Sequence, residues 1–335
     1  MTITAMTITD RRTLLLGSLA AGLAPAARAQ TAVPATGGAL PPGLSQPTET
    51  IDLWPQGAPG APGRPLVETV NERSTDPQLS DRAVFGISKP RMAVFRPEAP
   101  NGAAVLVTPG GGYKWVVVDK EGYEIGRWLS ARGFTVFVLF YRLPGEGWAA
   151  GADVALSDAQ RAIRLIRHRA KDFGVDAERV AAMGFSAGGH VCTDLVARFA
   201  APTYARVDAA DTLSTRPLCA APIYPVVSMS PPDAHPGSRT LLIGDDARLE
   251  AAHSPHRNIT ANAPPCFIVH AEDDDVVPVA NSLQFRDALK AKGVTVESHF
   301  FAEGGHGFGL RKVVGKPAGI WPDLFVAWSL TVGLA

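Results

Sequence analysis

Cysteine is scarce: Cys192, Cys219 and Cys266 are all that the 335 residues contain. None sits in a C-x-x-C pair or beside a histidine cluster, so a thiolate zinc site is not expected and the chemistry calls for no metal or organic cofactor. All three lie in apolar runs typical of core strands or helices. A disulfide stays open if the protein is exported, with one thiol left over. An excess of charge is also lacking, since 32 basic and 32 acidic residues give a formal net charge of zero. Without a block of like charges or a basic stripe, nucleic acid and anionic membrane surfaces are excluded as expected partners, and a small or neutral substrate fits better. No internal repeat appears, and no apolar run is long enough to span a bilayer as an anchor. With 46% hydrophobic and 7% aromatic residues, the chain can bury one large α/β core or two modest ones.

The N-terminal stretch carries export features. Arg11 and Arg12 precede the uncharged run TLLLGSLAAGLAPA, and Ala27, Arg28 and Ala29 supply a small-x-small cleavage pattern. Residues 1–29 are therefore expected to be a signal peptide, with Gln30 as the new N-terminus. The paired arginines resemble a twin-arginine signal, which implies a periplasmic or secreted protein. MTIT occurs at 1–4 and again at 6–9, so Met6 is as good a start as Met1. Residues 30–48, rich in Pro, Gly, Thr and Ala, read as a flexible leader before a single domain over 49–335.

From residue 49 onward, short β-rich runs alternate with helical stretches. The strands expected are MAVFRP (92–97), AAVLVTP (103–109), FTVFVLFYRL (134–143), RVAAMGF (179–185), CAAPIYPVVS (219–228), CFIVHAE (266–272) and VESHFFA (296–302). Helical patterns cover 121–133, 157–174, 187–200, 279–293 and 321–333. Such alternation predicts the α/β class, with a mainly parallel, doubly wound sheet of about eight strands and helices on both faces. In the second helix Ala159, Ile163 and Ile166 recur at helical spacing beside Arg161, Arg164 and Arg167, which reads as an amphipathic cover helix with a solvated arginine face.

The pentapeptide Gly184-Phe185-Ser186-Ala187-Gly188 fits G-x-S-x-G and follows an apolar strand, which makes Ser186 the candidate nucleophile. Glycines are needed because the serine sits on a cramped strand-to-helix turn. Downstream, CFIVHAEDDDVVP places Glu272, Asp273, Asp274 and Asp275 at a strand end, and FFAEGGHGFGL places His306 in a glycine-rich loop after the last strand. A serine hydroxyl needs a base to take its proton and a carboxylate to hold that base, and the order Ser, acid, His suits the chemistry. Spacing alone does not choose among the four acids; Asp275 reads as a cap for the helix that Pro278 opens, and Glu272 or Asp273 as solvated. The run TPGGGYKW after an early strand offers backbone donors, so Gly111 and Gly112 with Ala187 are the expected oxyanion hole. A phosphate loop is disfavoured, because Lys114 is not in P-loop spacing. Residues 113–118, 146–150 and 228–238 are expected over the site, with Tyr113, Trp115 and Trp148 as candidates to stack on substrate. His190 and Tyr224 read as packing residues.

TPGGGYKW, the segment EGYEIGRWLSARGFTVFVLFYRLP, the elbow GFSAGGH with its preceding helix, HAEDDDVVP and HGFGL occur in order. Together they resemble the bacterial α/β-hydrolase esterases related to acetylxylan and feruloyl esterases, over roughly residues 50–333. The resemblance implies the α/β-hydrolase fold and hydrolysis of short carboxylic or carbohydrate esters, and its H-G-x-x-D-x-x-V-P pattern puts the acid at Asp274. Ala271 departs from that pattern's glycine, and Thr108-Pro109 stands where lipase-like relatives carry histidine. Prolyl-oligopeptidase-type peptidases share the fold and residue order. Only about 50 residues precede the first expected strand here, too few for their propeller, so ester hydrolysis is the expectation.

Overall fold

The computed structural model describes residues 46–335, and the expected signal peptide and most of the leader lie outside them. Pairing begins slightly earlier than expected, where the Thr48 amide donates to Val94 O at 2.7 Å. In chain order the strands are β1 (Glu49–Asp52), β2 (Thr69–Glu72), β3 (Arg82–Phe85), β4 (Arg91–Phe95), β5 (Ala104–Thr108) and β6 (Val116–Val117). They continue as β7 (Thr135–Phe140), β8 (Val180–Phe185), β9 (Ala220–Ile223), β10 (Cys266–Ala271) and β11 (Val296–Phe301). The helices are α1 (Glu124–Ser130), α2 (Val154–His168), α3 (Ala170–Phe173), α4 (Ser186–Arg198), α5 (Pro236–Ile243), α6 (Arg248–Ala252), α7 (Ala280–Ala291) and α8 (Trp321–Thr331).

Eight strands form one sheet in the order β1-β4-β7-β5-β8-β9-β10-β11. The pairs β1·β4 and β4·β7 are antiparallel and the rest parallel. All seven expected strands are present, and β1 completes the eight. Every residue of β5, β7, β8 and β10 is buried, as the near-continuous apolar runs of parallel strands covered on both faces require. The path β5 to β7 runs one way along the sheet, and every later parallel step runs the other. Right-handed crossovers then put α1 on one face and α2, α4 and α7 on the other. Helix α8 joins the α1 face, where Trp128 of α1 and Trp321 and Phe325 of α8 line one small void. At the C-terminal ends of β5 and β8 the chain leaves toward opposite faces, which opens a crevice between them.

A second, three-stranded antiparallel sheet, β2-β3-β6, was not expected from the sequence. Its strands have two to four residues, and β2 is exposed throughout, so it carries no apolar alternation. Helices α5 and α6 were likewise missed, α5 beginning inside the Pro-rich stretch 228–238 and α6 being only five residues long.

The arginines of α2 correct an expectation. Ala159, Ile163 and Ile166 are buried as anticipated. Arg161, however, is fully buried, pairing with Asp208 at 2.5 Å and Asp211 at 3.0 Å and donating to Leu53 O. Arg164 donates to the Tyr204 hydroxyl and Leu213 O, and Arg167 to Glu178 and Arg216 O. The segment after α4 laps over this helix face and supplies Asp208 and Asp211, which no local pattern reveals. The three thiols are free and buried, and burial pushes those of Cys192 and Cys219 up to about 12.

Candidate active site

Five loops at the C-terminal edge of the sheet, those after β5, β8, β9, β10 and β11, build the site. Ser186 follows β8 directly and holds φ at +53°, a left-handed conformation that costs a non-glycine residue about 1–3 kcal/mol and turns its hydroxyl outward at the start of α4. The motif glycines follow from contact. A Cβ on Gly188 would overlap the carbonyl oxygens of Thr108 and Pro109, and one on Gly184 would overlap Gly188 O. The loop after β5 is pinned to the elbow by the Thr108 hydroxyl, which donates to Gly188 O at 2.8 Å.

Asp274 lies in the loop after β10. Its Oδ1 accepts from the amides of Val276 (3.0 Å) and Val277 (2.8 Å). Its Oδ2 accepts from His306 Nδ1 at 2.7 Å and from His270 Nε2 at 3.1 Å. Burial alone would raise this carboxyl, but the hydrogen bonds from His270 and His306, the His306 charge and the Val277 amide outweigh it and hold the group well below the usual aspartate range. Because Asp274 can only accept, His306 carries its proton on Nδ1 and leaves Nε2 as the acceptor for the Ser186 hydroxyl at 2.8 Å. The structure thus brings Ser186, His306 and Asp274 into one continuous chain. Among the competing acids, Asp273 is not merely solvated: its Oδ1 accepts from the amides of Gly304 (2.8 Å) and Gly305 (2.7 Å) and fixes the histidine loop. Asp275 does not cap α7, whose N-cap is Val279 with no side-chain bond.

A cavity of about 440 Å³ opens over this chain, with Ser186, His306, Gly111, Gly112, Trp115 and His235 in its wall. The amides of Gly111 and Gly112 have no partner among the described residues, and Ala187 sits in the first turn of α4, whose amides have no intrahelical acceptor. The neighbouring Gly110 amide is taken, donating to Glu121 Oε2 at 2.9 Å. Of the segments expected over the site, 113–118 and 228–238 contribute walls, while 146–150 does not. Trp115 faces the cavity. Tyr113 and Trp148 do not fit a stacking role. Tyr113 is buried with φ +59° and donates its hydroxyl to His190 Nδ1 at 2.7 Å, and Trp148 is buried with the Arg142 guanidinium 4.8 Å from its ring centroid.

Sequence reasoning missed the polar groups behind the site. Glu121 is buried, and besides the Gly110 amide it accepts from the Tyr224 hydroxyl at 3.0 Å. That hydroxyl in turn accepts from the Gly309 amide at 3.0 Å, while the Tyr224 ring lies 5.3 Å from the His306 ring. Tyr224 falls just past β9 with φ +37°, so it is more than a core strand residue. His190 is more than packing, since its Nε2 donates to His253 O at 2.8 Å and leaves Nδ1 as the acceptor for Tyr113. The EGYE and IYP contexts carried no period that would mark these groups.

A serine elbow at a strand end, linked through histidine to an acid on a later strand of a mostly parallel sheet, defines an α/β-hydrolase. Residues 92–214 match the BD-FAE family model, and residues 219–316 match that of the prolyl oligopeptidase family. The crystal structure of an acetyl ester-xyloside bifunctional hydrolase from Caldicellulosiruptor lactoaceticus is 32% identical, with a TM-score of 0.71 over 87% of this chain and 99% of that one. The protein belongs to the α/β-hydrolase esterase family. An acetylxylan esterase of Xylanibacter ruminicola is 31% identical over 66% of this chain and 44% of its own length. Endo-1,4-beta-xylanase B of Butyrivibrio fibrisolvens is 35% identical over 61% of this chain and 32% of its own length. The chain therefore spans less than half of these two relatives.

Proposed function

We propose that the protein is a serine carboxylic ester hydrolase in which Ser186 is the nucleophile, His306 the general base and Asp274 the acid that orients it. The observation that carries this reading is the unbroken path Ser186 Oγ to His306 Nε2 (2.8 Å) and His306 Nδ1 to Asp274 Oδ2 (2.7 Å) in the wall of an open cavity. As Ser186 attacks the ester carbonyl, its proton moves to Nε2, and the charge on the imidazolium is balanced by Asp274. The developing oxyanion is received by the amides of Ala187, Gly111 and Gly112. His306 then delivers the proton to the departing alcohol, and water repeats the cycle on the acyl-enzyme.

The substrate is a short acyl ester, with acetyl groups on xylan-type carbohydrates as the finer reading. The acetyl ester-xyloside hydrolase and acetylxylan esterase relatives support it. Purified protein should release p-nitrophenol from p-nitrophenyl acetate, and Ser186→Ala should lower kcat by roughly a thousandfold or more; turnover surviving that change removes the nucleophile assignment. Acetate release from acetylated xylo-oligosaccharides should exceed that from simple esters in kcat/KM, and the reverse preference sinks the carbohydrate reading. The match of residues 219–316 to the prolyl oligopeptidase family favours a peptidase as the second reading. A chromogenic prolyl peptide cleaved faster than the acetyl ester would select it. Export is proposed from Arg11, Arg12 and the Ala27-Arg28-Ala29 site, and N-terminal sequencing of the exported protein should begin at Gln30.

A further inference from the structure

The cavity wall carries an unbalanced positive charge on its histidine side. Two ammonium groups, those of Lys120 and Lys312, line the cavity with Arg73, while Lys114 lines it with its Nζ 4.6 Å from the Trp115 ring centroid. Arg73 is already committed, donating to Asp81 Oδ2 at 2.6 Å and to Asp81 O. The two ammonium groups form no ion pair among the described residues. This sets them apart from the arginines nearby, since Arg82 holds Asp119 at 2.7 Å and Arg311 holds Glu124. Lys120 retains 8% of its surface exposed and lines the cavity. Lys312 is exposed, and its ammonium is held below the ordinary lysine range first by the charge of Lys120 and then by burial, against the weaker pull of Asp81 and Glu121. Glu121 is the acid in the wall, and its two oxygens are taken by Gly110 and Tyr224.

Resting on the esterase reading, we propose that Lys120 and Lys312 form a subsite for a carboxylate carried on the alcohol portion of the ester. The position follows from contact. A Cβ built on Gly307 would lie 3.3 Å from Lys120 Nζ, so the ammonium sits against the residue that follows His306. The general base gives its proton to the leaving alcohol, and groups beside it face that half of the substrate. The charge suits an anion there, because the Lys120 and Lys312 ammonium groups outnumber the neighbouring Glu121 carboxylate and Lys114 in the same wall adds no negative charge. Between the two lysines, such an anion replaces a like-charge repulsion by two attractions. An ester of an acidic sugar, with its uronate carboxylate next to the acylated position, has this chemistry.

The test compares 4-acetoxybenzoate with its methyl ester, which share an acetyl group and a phenolic leaving group and differ by one negative charge. The wild-type protein should favour the carboxylate in kcat/KM on the order of tenfold, expressed mainly in KM and shrinking as salt is raised. In Lys312→Met and in Lys120→Met/Lys312→Met that ratio should fall toward one, and Lys312→Arg should restore most of it. Because the ratio is taken within each variant, a general loss of folding lowers both rates and leaves it unchanged. Cleavage of the methyl ester without preference for the carboxylate, or a preference that survives the double change, overturns the subsite and leaves the esterase reading standing. Failure to cleave either ester overturns both.

Discussion

Two histidines meet at one carboxylate oxygen of Asp274, and they do different things. His306 Nδ1 approaches at 2.7 Å, whereas His270 Nε2 lies at 3.1 Å while also donating to Val277 O, and its Nδ1 accepts from the Ser282 hydroxyl. Asp274→Asn keeps the shape but presents an amide that donates to Nδ1, forcing the proton of His306 onto the nitrogen that must accept from Ser186. The expected outcome is a loss in kcat of roughly 10⁴-fold with a folded protein, read by ester kinetics beside circular dichroism. Asp274 alone could be chosen from the sequence only through the family pattern. The reason is visible here, because Asp273 is equally committed but to amides of the histidine loop, and a four-acid run does not encode which member faces the imidazole.

His190 gives a pH dependence at the same scale. Burial pushes it down to about 4, against the pull of Asp194 and its bond to His253, so it folds neutral. The unfolded chain binds its proton at about pH 6.5, the folded protein only near 4, so between those values unfolding takes up a proton and stability falls as pH falls. His190→Gln, which can still accept from Tyr113 and donate to His253 O, should flatten this part of the curve. Thermal melts at pH 7 and pH 5 measure it: the wild type loses more Tm over that interval than the variant, and equal losses refute the assignment.

At the scale of elements, the loop after β5 and the loop after β11 are joined by Glu121 and Tyr224. One carboxylate takes the Gly110 amide and the Tyr224 hydroxyl, and that hydroxyl takes the Gly309 amide. The residues joined come from four separate places in the chain, which is why no motif announced them. The elbow, by contrast, was legible because its constraint is local: Gly184 and Gly188 are demanded by backbone within a few residues of Ser186 and by the adjoining strand end. Tyr224→Phe should leave the Gly309 amide and one Glu121 oxygen unpaired in a buried position. The cost is about 1–3 kcal/mol, read as a lower urea midpoint, together with a fall in kcat that exceeds any change in KM as the two loops lose register. Gly188→Ala should be more severe, since its methyl meets backbone oxygens that cannot move without displacing the glycine loop.

Across the whole molecule, the eight-stranded sheet was foreseeable because its parallel strands are buried on both faces and must be written as apolar runs. The tethering of the chain around it was not. Loop residues before β2 and beyond α4 are held onto the sheet's cover helix by buried ions. Asp158 accepts from Trp54 Nε1 at 2.8 Å and pairs with the fully buried Arg142 at 2.8 Å, and Arg161 holds Asp208 and Asp211. Arginine and aspartate in an amphipathic helix look the same in sequence whether they face water or a returning loop. The energetics differ greatly, because removing one member strands the other charge in a place without water. Asp158→Ala leaves the Arg142 guanidinium with Pro59 O as its remaining acceptor and Trp54 without a partner, and should cost about 3–5 kcal/mol. Asp208→Ala removes a partly exposed member and its cap on the Ala210 amide, while Asp211 and Leu53 O still hold Arg161, so it should cost less, about 1–2 kcal/mol. Chemical denaturation of the two variants side by side reads the difference. Comparable losses would show that these ion pairs are not what fastens the outer chain to the sheet.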